Sequence, residues 1–239
     1  MSVRVGMGQM LVEPGEPEAN LARAVDVVRA AAAAGCAVVV LPECLDLGWT
    51  HESARTLAQP VPGPATARLA AAAEGVLVAA GLVERDIALT LYTPGTSLAV
   101  TATPVGVVGL DVCADNLPAS LALGRALGQM GAQILLSPSA WAVPPDHDEA
   151  AHPYGDLWLG SYRALATEYR MPVVGVSNVG PVVGGAWDGH RCIGCSLAVG
   201  PDGEVLARGP YDAEALLIVD VPLRDPDDLP DPIRAARAG

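Results

Sequence analysis

Two residues of this 239-residue chain stand where chemistry is expected: Glu43 in VVVLPEC and Cys113 in VVGLDVCADN. A thiol that follows an apolar strand and precedes a helix lies near the positive end of a helix dipole, which favours the nucleophilic thiolate. Pro118 suits the first turn of such a helix, and the backbone N–H after the cysteine is placed to donate to an oxyanion. A carboxylate desolvated among apolar neighbours has a raised pKa and is suited to take the thiol proton. Each residue also has a plainer reading, Cys113 as a small core hydrophobe and Glu43 as a helix cap or solvated loop group.

The elements that must position these groups follow from periodicity. Residues 2 to 10 read as a strand. Over Glu18 to Ala34 the apolar residues Leu21, Ala24, Val25 and Val28 keep helical spacing, and Gly35 closes the helix. Strand 37–41, helix 65–74 and strand 76–83 continue the alternation, as do strand 105–112, helix 117–130, strand 132–136, helix 155–169 and strand 172–177. Short strands around the turn GPDGE at 200–204 finish the pattern. This is an α/β layered fold, and in such sheets sites collect beyond the carboxyl ends of the strands. Glu43, Cys113, Ser137 with Trp141, and Asn178 each follow a strand. Asp115 and Asn116 follow the cysteine, where they either line a pocket or cap the next helix. Trp141 reads either as a pocket wall or as core.

Several motifs occur in order: AVVVLPECLDLGW at 37–49, GLVERD at 81–86, YTPG at 92–95, TPVGVVGLDVCADN at 103–116, GAQILLSPSAW at 131–141, VVGVSNVG at 173–180 and GCSLAVGPDGEVLA at 194–207. Together they resemble the nitrilase, or carbon-nitrogen hydrolase, superfamily, from residue 3 to about residue 222. The resemblance implies a four-layer αββα sandwich that pairs through a helical face into a dimer or larger assembly. It implies hydrolysis of a non-peptide carbon-nitrogen bond in a small amide, carbamoyl compound or nitrile. It places a general base on Glu43 and the nucleophile on Cys113, with a thioester intermediate. Asp115, Asn116, Ser137, Trp141 and Asn178 are then candidates to contact substrate.

The third member of that family's triad is a lysine on a strand between the GLVER and YTPG elements, where it stabilises the oxyanion. Here only IALTL joins them, and the chain contains no lysine. Members of the family carry roughly 30 more residues at this point, enough for a pair of strands of ~5–6 residues each plus turns. A second glutamate that many members place there has no match. Arg85 is the nearest cation in sequence, though an arginine hardly exchanges a proton. A second class of function is therefore a silent member of the fold with a binding or scaffold role. A papain-like set of Cys113, His152 and Asn178 is a rival mechanism. The loop PPDHDEAAHPYGD at 144–156 reads as a rim over the pocket.

Composition narrows the partners. Fourteen arginines stand against 27 acidic residues, which leaves no basic patch for phosphates and argues against nucleic acid. The apolar runs are too short to span a bilayer, and the N-terminus lacks a signal-peptide pattern, so a cytoplasmic protein is expected. Five cysteines, an odd number, fit reduced thiols. Cys192 and Cys195 form a lone C-x-x-C that reads as packing, so neither a metal nor a cofactor is expected. One domain over 1–239, with 223–239 a C-terminal tail, accounts for the length.

Overall fold

The computed structural model describes residues 1–84 and 95–225. The elements run β1 (Ser2–Gln9), α1 (Pro17–Ala33), β2 (Val38–Val40), α2 (Ala54–Leu57), α3 (Pro64–Ala73), β3 (Leu77–Ala79), β4 (Val100–Thr103), β5 (Gly106–Leu110), α4 (Ala122–Gln129), β6 (Ile134–Ser139), β7 (Ala142–Val143), α5 (Gly155–Tyr169), β8 (Val173–Ser177), β9 (Val179–Pro181), β10 (Arg191–Ile193), β11 (Leu197–Val199), β12 (Val205–Arg208) and β13 (Ala215–Pro222).

Two sheets of order β13-β1-β2-β3 and β12-β11-β8-β6-β5-β4 carry the fold. Each contains a parallel run, β1-β2-β3 and β5-β6-β8; antiparallel β13 flanks the first on one side, and antiparallel β11 and β4 flank the second on both. Parallel strands buried on both faces read as unbroken apolar runs. In β2 the alternation still sorts the side chains: Val38 and Val40 meet Val108, Ile134, Leu136 and Val174 of the facing sheet. Val39, with Leu41 beyond the strand, turns instead to Leu21, Val25, Val28 and Leu69 on α1 and α3. Trp158, Tyr162 and Leu165 of α5 and Leu127 of α4 cover Leu135, Val173 and Leu197 on the other outer face. The result is the four-layer αββα sandwich. The α1 stripe is the one its helical spacing predicts, and Gly35 ends that helix at φ +78°, a left-handed conformation that costs glycine little.

Three elements differ from the sequence expectation for local physical reasons. Strand 76–83 is only Leu77–Ala79, because the chain then turns to brace the loop after β2: Gly81 N–H donates to Pro42 O at 3.0 Å and Leu45 N–H to Gly81 O at 3.0 Å. The helix expected over 117–130 begins at Ala122. Pro118 does not open it; it disfavours helical geometry at Leu117, which is extended at φ −65°, ψ 152°. Strand β6 runs on to Ser139, so Ser137 lies within it, and Pro138 is tolerated where β8 is a neighbour but β5 no longer pairs. The junction expected to lack a strand pair, with Arg85, lies outside the described residues, as does the tail beyond 225.

Gly175 in β8 sits directly under the Tyr162 hydroxyl, so that a Cβ there would collide with it. Gly175→Ala is expected to destabilise the protein by about 2 kcal/mol or more through overpacking. Urea midpoints check this, with Tyr162→Phe in the same chain recovering part of the loss.

Candidate active site

The two sheets bring their strand ends together. Glu43 follows β2, and its backbone N–H donates to Ser139 O at the end of β6, 3.1 Å away, so one hydrogen bond ties the sheets at the site. Cys113 follows β5 and opens a single 3-10 turn, Cys113–Asn116, at φ +42°. That left-handed backbone is uncommon for a residue with a Cβ and marks a strained turn.

The Glu43 carboxyl and the Cys113 thiol act on each other's ionisation, and the Glu43 Oε2 is buried without a hydrogen-bond partner. Ala140, just past β6, serves both: its N–H acts on the Glu43 carboxylate, and its carbonyl oxygen stands 4.0 Å from Cys113 Sγ. Burial pushes the Glu43 carboxyl up to about 7; the Cys113 hydrogen bond and Ala140 N–H lower it, and the Asp115 charge raises it. The same burial, reinforced by the Glu43 charge, raises the Cys113 thiol well above its ordinary value. The resting nucleophile candidate is thus a neutral thiol, not the thiolate that a helix N-terminus suggests. The four-residue 3-10 turn and the late start of α4 supply too little dipole to offset desolvation. A carboxyl near 7 in contact with that thiol can accept its proton as the sulfur attacks.

The remaining candidates fall into two groups. Asp115 accepts the Val112 N–H at 2.9 Å and shapes the cysteine turn. Asn178 is buried, and its amide faces the Cys192 thiol. Asn116 and Ser137 are completely buried and joined at 3.0 Å, so they support the turn from behind. Trp141 has no exposed surface; it stacks on Trp158 with centroids 5.0 Å apart, in the core and not on a pocket wall. His152 is exposed, and the groups acting on the Cys113 thiol are Glu43, Ala140 and Cys192, which leaves the papain-like arrangement unassembled. Cys192 and Cys195 are free thiols, packed respectively against Ala140, Ala142 and Val182 and against the α5 side of the core.

Two residues were missed. Asp111 is 3% exposed while its neighbour Leu110 is 51% exposed; it accepts the Asn116 amide at 2.8 Å, and burial raises it to about 7. Strand alternation in VVGLDV was the available signal, since it points Asp111 inward. Tyr154, half-buried just before α5, has its phenol pushed up to about 12, first by burial and then by negative charge on Cys113 and Cys192. No periodicity marks it.

The sequence pattern of carbon-nitrogen hydrolases matches residues 4–94 and 87–230. The chain belongs to the carbon-nitrogen hydrolase family. The match divides at residues 87–94, which both pieces include, where the sequence places the missing strand pair. An omega-amidase of Xenopus tropicalis is 26% identical over 262 positions, covering 92% of this chain and 88% of that protein. Set against 92% of 239 residues, those 262 positions leave about forty opposite no residue of this chain. An aliphatic nitrilase of Sinorhizobium fredii is 26% identical over 289 positions, covering 95% of this chain and 88% of the nitrilase. Among solved structures, a carbon-nitrogen hydrolase from Helicobacter pylori G27 superposes with TM-score 0.78 at 22% identity, covering 92% of this chain and 89% of that one. An amidase from Nesterenkonia sp. AN1 gives 0.73 at 22% identity, covering 99% of each. The family, together with these amidase relatives, makes this chain an amidase-like carbon-nitrogen hydrolase.

The site has a consequence for stability. Glu43 and Asp111 both stand near 7 in the folded chain against ordinary values of 4.5 and 3.8, so the folded state holds protons that the unfolded chain releases. Their contribution is complete below about pH 4 and is lost as pH rises through 7. Glu43→Gln and Asp111→Asn should each flatten the stability-pH curve. At pH 8 each should be more stable than the unsubstituted protein by up to roughly 3 kcal/mol, read from urea midpoints between pH 5 and 8.

Proposed function

We propose that this chain hydrolyses a small non-peptide amide, with Cys113 as nucleophile and Glu43 as general base. The observation that carries the reading is the desolvated Glu43 carboxyl acting on the half-buried Cys113 thiol where two strand ends meet, with Ala140 acting on both. Glu43 takes the thiol proton as the sulfur attacks the carbonyl carbon. The C–N bond then breaks, the leaving amine takes that proton, and a thioester remains. Glu43 next accepts a proton from water as it attacks the thioester, which returns the thiol. In the related Nesterenkonia amidase, acrylamide adds to the active-site cysteine, which supports a cysteine in this role. On this reading Asp115, at the cysteine turn, and Asn178, beside Cys192, contact substrate, and Asn116, Ser137 and Trp141 support them from behind.

The same reading places the enzyme in a reducing compartment such as the cytoplasm, where five free cysteines persist. Among the described helices none is long and apolar enough to cross a membrane. It also includes a homodimer: α4 and α5 are linked by Arg125 and Glu168 at 2.9 Å and expose Met130 and Leu157 to solvent. Sedimentation at micromolar concentration should show twice the monomer mass.

The decisive measurement is ammonia release from short aliphatic amides, with mass spectrometry for an acyl group on Cys113. Cys113→Ala should abolish both. Glu43→Gln should lower kcat/KM at least a hundredfold, within the ~10²–10⁴ contributed by a positioned base. For the unsubstituted enzyme kcat/KM should rise as pH passes through about 7, because Glu43 must be ionised to act. An acyl adduct without ammonia release, or neither, would favour the silent, binding role.

A further inference from the structure

The turn that carries Cys113 is closed by a side chain at each end. Asp111 still belongs to the sheet, its N–H donating to Leu136 O at 3.3 Å, and Asn116 ends the 3-10 turn. Both are buried. Asn116 Nδ2 donates to Asp111 Oδ1 at 2.8 Å and to Ser137 Oγ at 3.0 Å. The other oxygen of each group, Asp111 Oδ2 and Asn116 Oδ1, is buried with no hydrogen-bond partner. An ionised carboxylate only accepts, and so does an amide oxygen, so a charged Asp111 leaves both atoms orphaned in the interior, which is costly. These two acceptors sit on side chains already joined at their other ends, and a single proton satisfies both.

We propose that Asp111 is a neutral carboxylic acid that donates its proton from Oδ2 to Asn116 Oδ1, and that this acid–amide pair is the clasp holding Cys113 in its left-handed turn. Asp111 is then a positioning residue. The proton site does not depend on the nucleophile reading above; only its bearing on catalysis does. In the closed pair the acid O–H donates to the amide oxygen and the amide N–H to the carboxyl oxygen, so that two hydrogen bonds fix the ends of the turn against each other. Residues 112–115 arch between those ends, with Cys113 at φ +42°. Asp115 shapes the arch itself, its Oδ2 accepting the Val112 N–H at 2.9 Å and its N–H donating to Val112 O at 2.9 Å. Those bonds lie within the turn, whereas the clasp ties it to β5 and, through Ser137, to β6.

The surroundings favour the neutral acid. Burial, with the Asp115 charge behind it, raises Asp111 to about 7, and the groups that lower it, Ser137 and Asn116, are uncharged. On the α5 side stands Tyr162, whose buried hydroxyl turns to Ser137 and Ser139 and keeps its own proton. No cation is among these groups. Ser137 Oγ is the competing acceptor, but it already receives the Asn116 amide, whereas Asn116 Oδ1 receives nothing.

Infrared difference spectra locate the proton, and deuterium exchange reads the clasp. At pH 6, below the Asp111 midpoint of about 7, the spectrum of the unsubstituted protein minus that of Asp111→Asn should show one carboxylic-acid C=O band, the band of Glu43 cancelling. That band should move in Asn116→Leu, which removes the acceptor, and stay in Ser137→Ala. Absence of the band, or a band that moves only in Ser137→Ala, overturns the assignment. Asp111→Asn offers the same donor and acceptor as the neutral acid, so at pH 6 it should keep the exchange protection of residues 112–117. Asp111→Ala should lower that protection about tenfold or more, the loss expected when a buried polar group is left without its partner. Asn116→Leu breaks the same clasp and gives the same reading should Asp111→Ala not fold. If Asp111→Asn loses protection as Asp111→Ala does, a charged carboxylate holds the turn and the proposal fails; it fails equally if neither Asp111→Ala nor Asn116→Leu lowers protection. None of these readouts uses turnover, so a failure of Cys113 to form an acyl adduct overturns the nucleophile reading and leaves the proton site standing.

Discussion

Desolvation of one carboxyl governs this site. A glutamate in water is ionised at neutral pH and too weak a base to draw a proton from a thiol. Taken out of water beside Cys113, it is raised to about 7, where protonation state and basicity are balanced for proton transfer. The environment that tunes Glu43 also keeps Cys113 as a thiol, so in the proposed reaction the sulfur anion forms only as attack proceeds. On the proposed mechanism, burial therefore supplies both halves of the chemistry: a base that is strong enough and a thiol that stays quiet until a substrate carbonyl is present.

Holding two groups that repel ionisation so close together requires a rigid frame. The sandwich provides it by bringing the ends of β2, β5 and β6 from two facing sheets to one place. The Glu43 N–H to Ser139 O bond fixes their relative height. Gly81 makes the other brace, where a Cβ would stand 2.7 Å from Glu43 Cα, so the chain leaves β3 early to pack against the base. On the thiol side, Asp111, Asn116 and Ser137 lock the strained Cys113 turn from beneath through bonds of 2.8 and 3.0 Å. Strain at Cys113 persists because its surroundings over-determine it.

Much of this was legible in the sequence, and the boundary has physical causes. The α1 stripe, the apolar strands, and the emergence of Glu43 and Cys113 at strand ends follow from periodicity, which depends on burial of whole faces. Helix 155–169 matched to the residue, because Gly155 to Tyr169 carries its pattern without a proline. Helix 117–130 did not: its composition is helical throughout, but Pro118 restricts the residue before it more than it favours the turn after it. The pocket-wall role of Trp141 failed for a different reason. A large aromatic at a strand end has the same sequence appearance whether it faces a cavity or the neighbouring helix, and here Trp158 of α5 claims it. Tyr154 is unreadable from sequence because its place depends on Asp148 and Glu149 folding the preceding loop.

The absence of lysine links composition to mechanism. With 14 arginines against 27 acidic residues, and carboxyls at positions 43, 111 and 115 around one turn, ionisation of each group raises the cost of ionising the next: the Asp115 charge raises both Glu43 and Asp111. A buried cation would relieve that repulsion, but it would also pull Glu43 down from 7 and weaken it as a base.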